Sequence, residues 1–475
     1  MCGFIFAFTK KMPSEITLLD ANTYIQHRGP TANNKIHLKS SDGNHITLLH
    51  NLLDISGQSV VQPLSRDGMH LLFNGEIYNY LDVANVSSDT LALLEFLKKN
   101  SKSRDGLDGE FVIASYSEED QVLQILTDPF LTKPLYFGRS DDPSEFACAS
   151  YPSALTELGF NHIYGAQPNT KYIINLRNSS ITISESYPVH KFEIQQNSFT
   201  YDSWCEAFIE AVRKRALHGG HLPMLALSSG YDSGCISLAM KLLNIKFNAY
   251  TMQAGENIEI LERRYEYFGD IIDNNFIIDP VSKNEIYALS LQAGKRIENL
   301  LYHHNDGEGF IRMFSDPGAL GSYLIANAAS RNSEIVNLSG SGGDEIYSDY
   351  AFKGNKYSVH SEFGGVFPDN LDGFFPWKKF YGNTQRSYLM KEEFVFGAFG
   401  IESRYPFLDK AVVGEFLKLD PELKNRNYKA PLHYFMEKYN FPFELNAKRG
   451  FAIRKAPIGR RVKQKIKNLF KKKSG

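Results

Sequence analysis

The sequence predicts two domains of different build: an antiparallel β domain over residues 1–190, then a doubly wound parallel α/β domain over residues 200–475. Three observations lead there. The first stretch holds short β-rich runs broken by Asn-Gly and Asp-Gly punctuation. The second alternates strand-like apolar runs with amphipathic helical ones, the pattern of a parallel sheet with helical crossovers. The length of 475 residues suits two or three domains at roughly 150 residues each.

In the first domain, residues 46–49, 70–73, 111–116, 122–126, 146–149 and 171–175 read as strands, and helical spacing appears at 16–26 and 90–99. A polar stretch at 193–200 reads as the linker. Beyond it come an amphipathic helix over 204–216, a buried strand at 224–227 and a helix over 234–243. A strand at 247–252 follows, and another at 335–338 ends in a glycine-rich turn. From 454 to 473 Lys and Arg dominate, with Ile458, Val462, Ile466 and Phe470 four residues apart. That spacing predicts a basic amphipathic C-terminal helix docked on the body, the alternative being a contact with an acidic partner or an anionic membrane surface.

Composition excludes several classes. The apolar share of 43% and charged share of 22% are those of a globular chain, and a net charge of −2 gives no reason to expect nucleic acid as a partner. No apolar run approaches the about 18 residues that a membrane span needs. Cys2, Cys148, Cys205 and Cys235 form no CxxC pair. This argues against a disulfide scaffold or zinc site and fits a reducing cytoplasm.

Several residues carry chemistry. Cys2 becomes terminal once Met1 is removed. A thiol of pKa near roughly 8.5 would then sit beside an α-amine near about 7.7–8.0, a nucleophile and a base on one residue. Taken alone, Met-Cys-Gly carries little weight. Asn74-Gly75, expected at a bend after a strand, offers a side-chain amide and a backbone N–H, a donor pair able to hold an oxyanion. Asn-Gly is ordinarily just a turn. Asp89 opens a helix, where it can hold an ammonium or merely cap. Between the 224–227 strand and the next helix, Ser228-Ser229-Gly230-Tyr231-Asp232-Ser233 should expose backbone N–H groups to an anion. Asp232 beside phosphates makes sense only with Mg²⁺.

In order and spacing, these residues resemble the N-terminal-nucleophile glutaminase domain of class II amidotransferases. The match runs through Cys2, His27-Arg28-Gly29-Pro30, Asn74-Gly75-Glu76-Ile77-Tyr78-Asn79, Asp89, Gly109-Glu110-Phe111 and Lys133-Pro134-Leu135-Tyr136. The resemblance implies an αββα sandwich in which Cys2 attacks the glutamine carboxamide. It further implies that Asn74 and Gly75 hold the oxyanion, and that Asp89 (the α-amine partner) and Glu76 bind the substrate. There is one departure. The family carries an Arg for the glutamine carboxylate, whereas this chain reads His50-Asn51-Leu52-Leu53-Asp54-Ile55-Ser56.

The later motifs extend the likeness. Ser228–Ser233 resembles a pyrophosphatase-type loop, and Leu338-Ser339-Gly340-Ser341-Gly342-Gly343-Asp344-Glu345 resembles its partner motif. Gly400-Ile401-Glu402-Ser403-Arg404-Tyr405-Pro406-Phe407-Leu408-Asp409 and Lys448-Arg449-Gly450-Phe451 match two further signatures. From Cys2 to about Phe451 the chain is thus similar to the glutamine-hydrolysing asparagine synthetase family. By that resemblance Leu227, Ser228, Ser229, Gly230, Asp232, Ser233, Met252, Ser339 and Gly340 would bind ATP. Asp232 and Asp344 would hold Mg²⁺, Lys448 would neutralise departing pyrophosphate, and Ser341 and Glu345 would face the acceptor acid. Residues 294–317 would help to recognise that acid. The implied reaction is ATP- and glutamine-dependent amidation through an acyl-adenylate, with aspartate giving asparagine. Ser341, where aspartate-using relatives carry an acid, keeps a second acceptor open, such as a uronic acid or a natural-product precursor. A non-catalytic homologue is the third reading. Homodimerisation is expected by analogy.

Overall fold

The computed structural model describes residues 2–99, 106–177, 183–282, 284–305, 309–448 and 453. The expected basic helix at 454–473, Gly450-Phe451 and residues 306–308 lie outside the described residues.

Two six-stranded antiparallel sheets form the first half. The central strand of one, Gly3–Thr9, pairs on either side with His45–Leu52 and Phe146–Ala149. Its alternation explains its place. Phe4, Phe6 and Phe8 point into the core between the sheets, while Ile5 and Ala7 face the outer layer with helix Glu15–Thr23. Each fully buried Phe of this kind contributes about 1.5–3 kcal/mol relative to exposure. The strand Met69–Ile77 of the second sheet works likewise. Leu72 faces the inter-sheet core, and Leu71, Phe73 and Ile77 face the core of helix Asp89–Lys99. Strands buried on both faces read as nearly continuous apolar runs, and the result is the αββα sandwich.

The second half carries a five-stranded, wholly parallel sheet. From the middle strand Met224–Ala226 the chain adds Phe247–Met252 and Ile272–Ile278 on one side, then crosses to add Val336–Leu338 and Glu402–Arg404 on the other. Helices cover both faces: Tyr231–Leu242 packs in the layer of Leu225 and Phe247, Pro317–Arg331 in that of Met224 and Tyr250. The winding therefore reverses between Met224–Ala226 and Val336–Leu338. Such a reversal parts the crossover loops and opens a crevice beyond the strands' carboxyl ends, where ligands bind in open α/β sheets. The linker expected at 193–200 runs across the second half, with Ser198 bridged to Leu419.

Candidate active sites

The first site surrounds Cys2. Cys2 lines a small, partly open pocket together with Gly75, Glu76 and Asp89. Burial pushes this thiol up to about 11, opposed in part by a hydrogen bond from the Leu53 backbone. The thiol thus needs a base to become nucleophilic.

Asn74 is fully buried. Its Oδ1 accepts from the Cys2 backbone N–H at 2.9 Å, while its Nδ2 has no hydrogen-bond partner among the described residues. A buried amide donor without an acceptor costs free energy unless a ligand oxygen arrives. Here the expectation of a bend is corrected. Asn74 and Gly75 lie inside the strand Met69–Ile77, paired with Val112 and Phe111. Gly75 has a φ of +133°, and a Cβ there would come within 1.9 Å of the Glu110 carbonyl oxygen. Glycine is required by this close approach and backbone twist, not by a turn.

Asp89 opens its helix, but the capping falls to Ser88, whose Oγ accepts from Leu91 N–H at 3.3 Å. The Asp89 carboxylate accepts from Thr90 N–H at 2.6 Å and from Ile77 N–H at 3.3 Å. Burial and the neighbouring Glu76 push it well above the usual carboxylate range. No cation of the described residues forms an ion pair with it. Glu76 is balanced differently. His218 Nε2, from the second half, donates to it at 2.6 Å, Ser56 Oγ donates at 2.7 Å, and Arg404 lies 3.8 Å away. Against burial and Glu402, His218 and Arg404 hold the Glu76 carboxyl below its ordinary value.

The second site lies at the winding reversal. The loops after Met224–Ala226 and Val336–Leu338 meet there, because those strands pair directly. A Cβ on Gly340 would come within 2.8 Å of Asp232 Cβ, and one on Gly343 within 2.3 Å of Asp232 Oδ1. Leu227 and Met252, both buried, end neighbouring strands, and Leu227 N–H donates to Tyr250 O at 2.9 Å. Ser228 and Ser233 exchange a hydroxyl contact at 2.8 Å. The expectation of freely exposed loop amides is corrected. Ser229 N–H donates to Glu256 at 2.6 Å, Gly230 N–H to Ser228 Oγ at 3.1 Å, and Ser228 N–H to Ser233 Oγ at 3.1 Å. Side-chain acceptors satisfy donors that an anion would otherwise meet.

Asp232 and Asp344 share Lys429, which donates to Asp232 at 2.6 Å and lies 3.1 Å from Asp344. Lys448 also pairs with Asp344, and Tyr428 OH donates to it at 2.8 Å. Against burial, the two lysines hold the Asp344 carboxyl well below the usual range. The hard oxygen donors of these two aspartates suit Mg²⁺. Glu345 accepts from Tyr350 OH, and burial raises its carboxyl. Ser341 Oγ donates to Glu392 at 2.7 Å, as Ser339 Oγ does at 2.6 Å. In residues 294–317, Tyr302 OH donates to Asp316 at 2.6 Å.

Lys429, His218, Glu256, Glu392 and Glu393 do not stand out from the sequence. Pro431 marks a helix start just after Lys429, but nothing local ties that lysine to residues 85 and more positions upstream. Glu393 joins the sites. Arg28 donates to the Cys2 carbonyl at 2.8 Å and to Glu393 at 2.9 Å, all of it buried. Glu393 and Glu392 adjoin on helix Asn383–Gly397, so one helix touches both centres. Lys133 lies 3.3 Å from Glu393 and 3.6 Å from Glu110, and Arg215 bridges Glu110 to Asp409 at 2.6 and 2.7 Å.

Comparison with known proteins gives a consistent likeness. Residues 1–204 match a family described as a glutamine amidotransferase domain, and residues 379–474 match the asparagine synthase family. A Methanocaldococcus jannaschii protein named as a glutamine-hydrolysing asparagine synthetase is 25% identical over 81% of this chain and 72% of its own. Asparagine synthetase [glutamine-hydrolyzing] 1 of Bacillus subtilis is 23% identical over 74% of this chain and 59% of its own, so the chain spans under two thirds of that relative. Its Saccharomyces cerevisiae counterpart is 24% identical over 89% and 77%.

Proposed function

Because the chain belongs to the glutamine-hydrolysing asparagine synthetase family, we propose that it releases ammonia from glutamine at Cys2 and delivers it internally to a carboxylic acid activated by ATP at the second site. It is an amidotransferase ligase, and its amidation depends on glutamine. The observation that carries the fuller reading is helix Asn383–Gly397. Its Glu393 grips the arginine that holds the nucleophile's carbonyl, and its Glu392 binds Ser339 and Ser341 beside the nucleotide loops.

With Met1 removed, the Cys2 amine takes the thiol proton, and Sγ attacks the carboxamide carbon. Asn74 Nδ2 and Gly75 N–H stabilise the oxyanion, while Asp89 holds the substrate ammonium. Collapse expels ammonia, and water then cleaves the thioester to give glutamate. At the second site the acceptor carboxylate attacks the α-phosphate, forming an acyl-adenylate and pyrophosphate. Leu227, Ser228, Ser229, Gly230, Ser233, Met252, Ser339 and Gly340 surround the nucleotide, and Glu256 gives up the Ser229 amide to a phosphate. Lys448 and Lys429 neutralise the departing pyrophosphate. Asp232 and Asp344 would hold Mg²⁺, which when bound offsets phosphate charge. Ammonia displaces AMP and leaves the amide.

The leading acceptor is aspartate, giving asparagine, with Glu345 and Ser341 at the acceptor end. A second reading, another acid such as a sugar uronic acid, is favoured by Ser341, whose partner carboxylate comes from Glu392. The domain division near residues 190–200, a homodimer and a cytoplasmic setting belong to the same proposal. Pyrophosphate release from purified protein with glutamine, MgATP and a panel of carboxylic acids tests it. Cys2→Ala should abolish glutamine use and keep ammonia-driven synthesis. Asp232→Ala should abolish adenylation, and pyrophosphate exchange persisting in that variant would contradict the loop assignment.

A further inference from the structure

The pocket at Cys2 is matched to one end of an amino acid and not to the other. Its described lining carries three carboxylates, Asp54, Glu76 and Asp89, and no Lys, Arg or His. Asp89, buried and without an ion-pair partner among the described residues, suits an ammonium. His218 and Arg404 pair with the Glu76 carboxylate, and neither lines the pocket. The remaining walls include apolar Leu52, Leu53 and Val60. A free α-carboxylate attached to the carbon that bears the ammonium would therefore approach the Glu76 carboxylate with no Lys, Arg or His side chain in the described lining to meet it. A neutral group at that position meets no such repulsion.

Resting on the reading of Cys2 as a carboxamide-cleaving nucleophile, we propose that this pocket takes γ-carboxamide donors that keep a free α-ammonium but carry a blocked, uncharged α-carboxyl. L-Glutaminamide and peptides with N-terminal glutamine are the class. The chemistry balances as for glutamine. A bond forms between Cys2 Sγ and the side-chain carbonyl carbon, and the carbon–nitrogen bond breaks. The thiol proton leaves with ammonia, and water cleaves the thioester to a γ-carboxylate, leaving the blocked α-carboxyl untouched.

The test is ammonia release by the full-length protein, with Cys2→Ala as the blank, from L-glutamine, L-glutaminamide, glutaminylglycine and N-acetyl-L-glutamine. The expected result is a kcat/KM for the two blocked donors within about tenfold of glutamine or above it, a difference of no more than about 1.4 kcal/mol. N-acetylglutamine, which has no ammonium for Asp89, should be inactive. A preference for glutamine over both blocked donors by about a hundredfold or more overturns this inference and leaves Cys2 as the nucleophile. No release from any donor above the blank overturns both. A conventional donor requirement thus fails differently from an inactive Cys2.

Discussion

Replacing Asn74 by Ala removes two interactions that the geometry separates. The first is the Nδ2 donor, fully buried and unpartnered among the described residues. It has no ground-state bond to lose, so its contribution falls on the transition state alone. Loss of one such donor costs about 2.7–4 kcal/mol, or about 10²–10³ in kcat. The second is the Oδ1 acceptor for the Cys2 N–H, at 2.9 Å. With Met1 removed that nitrogen is the α-amine base, and leaving it buried without its acceptor costs about 1–3 kcal/mol in folding stability. The expected outcome is a 10²–10³ fall in glutaminase kcat with KM for glutamine little changed, together with a modest loss in denaturant stability. Ammonia-driven synthesis should be unaffected, since the second site lies elsewhere. Steady-state ammonia release and pyrophosphate release on the same preparation report both. A glutaminase kcat within about threefold of the parent, against the 10²–10³ expected of an oxyanion donor, would refute the assignment.

Gly75→Ala should destabilise the fold by about 3 kcal/mol or more, read by chemical denaturation. The new Cβ meets the backbone of the paired strand, Glu110 O at 1.9 Å and Phe111 Cα at 2.8 Å. Lys429→Met should slow ATP–pyrophosphate exchange by about 10²-fold or more by leaving Asp232 without its lysine, while glutaminase activity persists; unchanged exchange would remove Lys429 from the nucleotide site. Glu393→Gln breaks a buried charge set with Arg28 and Lys133 and should cost about 3–5 kcal/mol, with glutaminase loss accompanying it through Arg28. The raised carboxyl of Asp89 must ionise before it can hold an ammonium. KM for glutamine should therefore fall as pH rises through that raised value, and Asp89→Asn should flatten the profile.

Much of the fold was legible because period-two burial leaves a direct trace. Phe4, Phe6 and Phe8 alternate with Ile5 and Ala7, and the 224–227 and 247–252 runs announce strands covered on both faces. Cys2, Asn74, Asp89, Asp232 and Asp344 were legible as a set only through their order along the chain, because singly each has an ordinary structural reading. Asn74-Gly75 misled as a bend. The dipeptide usually supplies a turn, and only the register against Glu110 and Phe111 reveals a strand that needs glycine for clearance. The loop amides misled for another reason, since Glu256 is 27 residues from the Ser229 amide that it caps. Lys429, His218 and Glu393 were invisible because charge pairing at sequence separations of 142 to 365 residues has no local signature.

The charged seam of Arg28, Lys133, Glu110, Arg215, Asp409 and Glu393 has a consequence for how such a chain can change by inheritance. A hydrophobic seam tolerates partners of many shapes, so halves joined by one can be exchanged between lineages. Here Arg28 and Lys133 of the first half are met by Glu393 of the second, Glu110 is met by Arg215, and Arg28 also steadies the residue bearing the nucleophile. A foreign second half lacking Glu393 would leave that arginine unmet in the interior. Crossovers at the linker should thus give incompatible chimaeras unless both sides of the seam travel together. The two halves are expected to descend as a unit, and alterations of donor or acceptor specificity to accumulate inside each pocket instead of by exchange of whole parts.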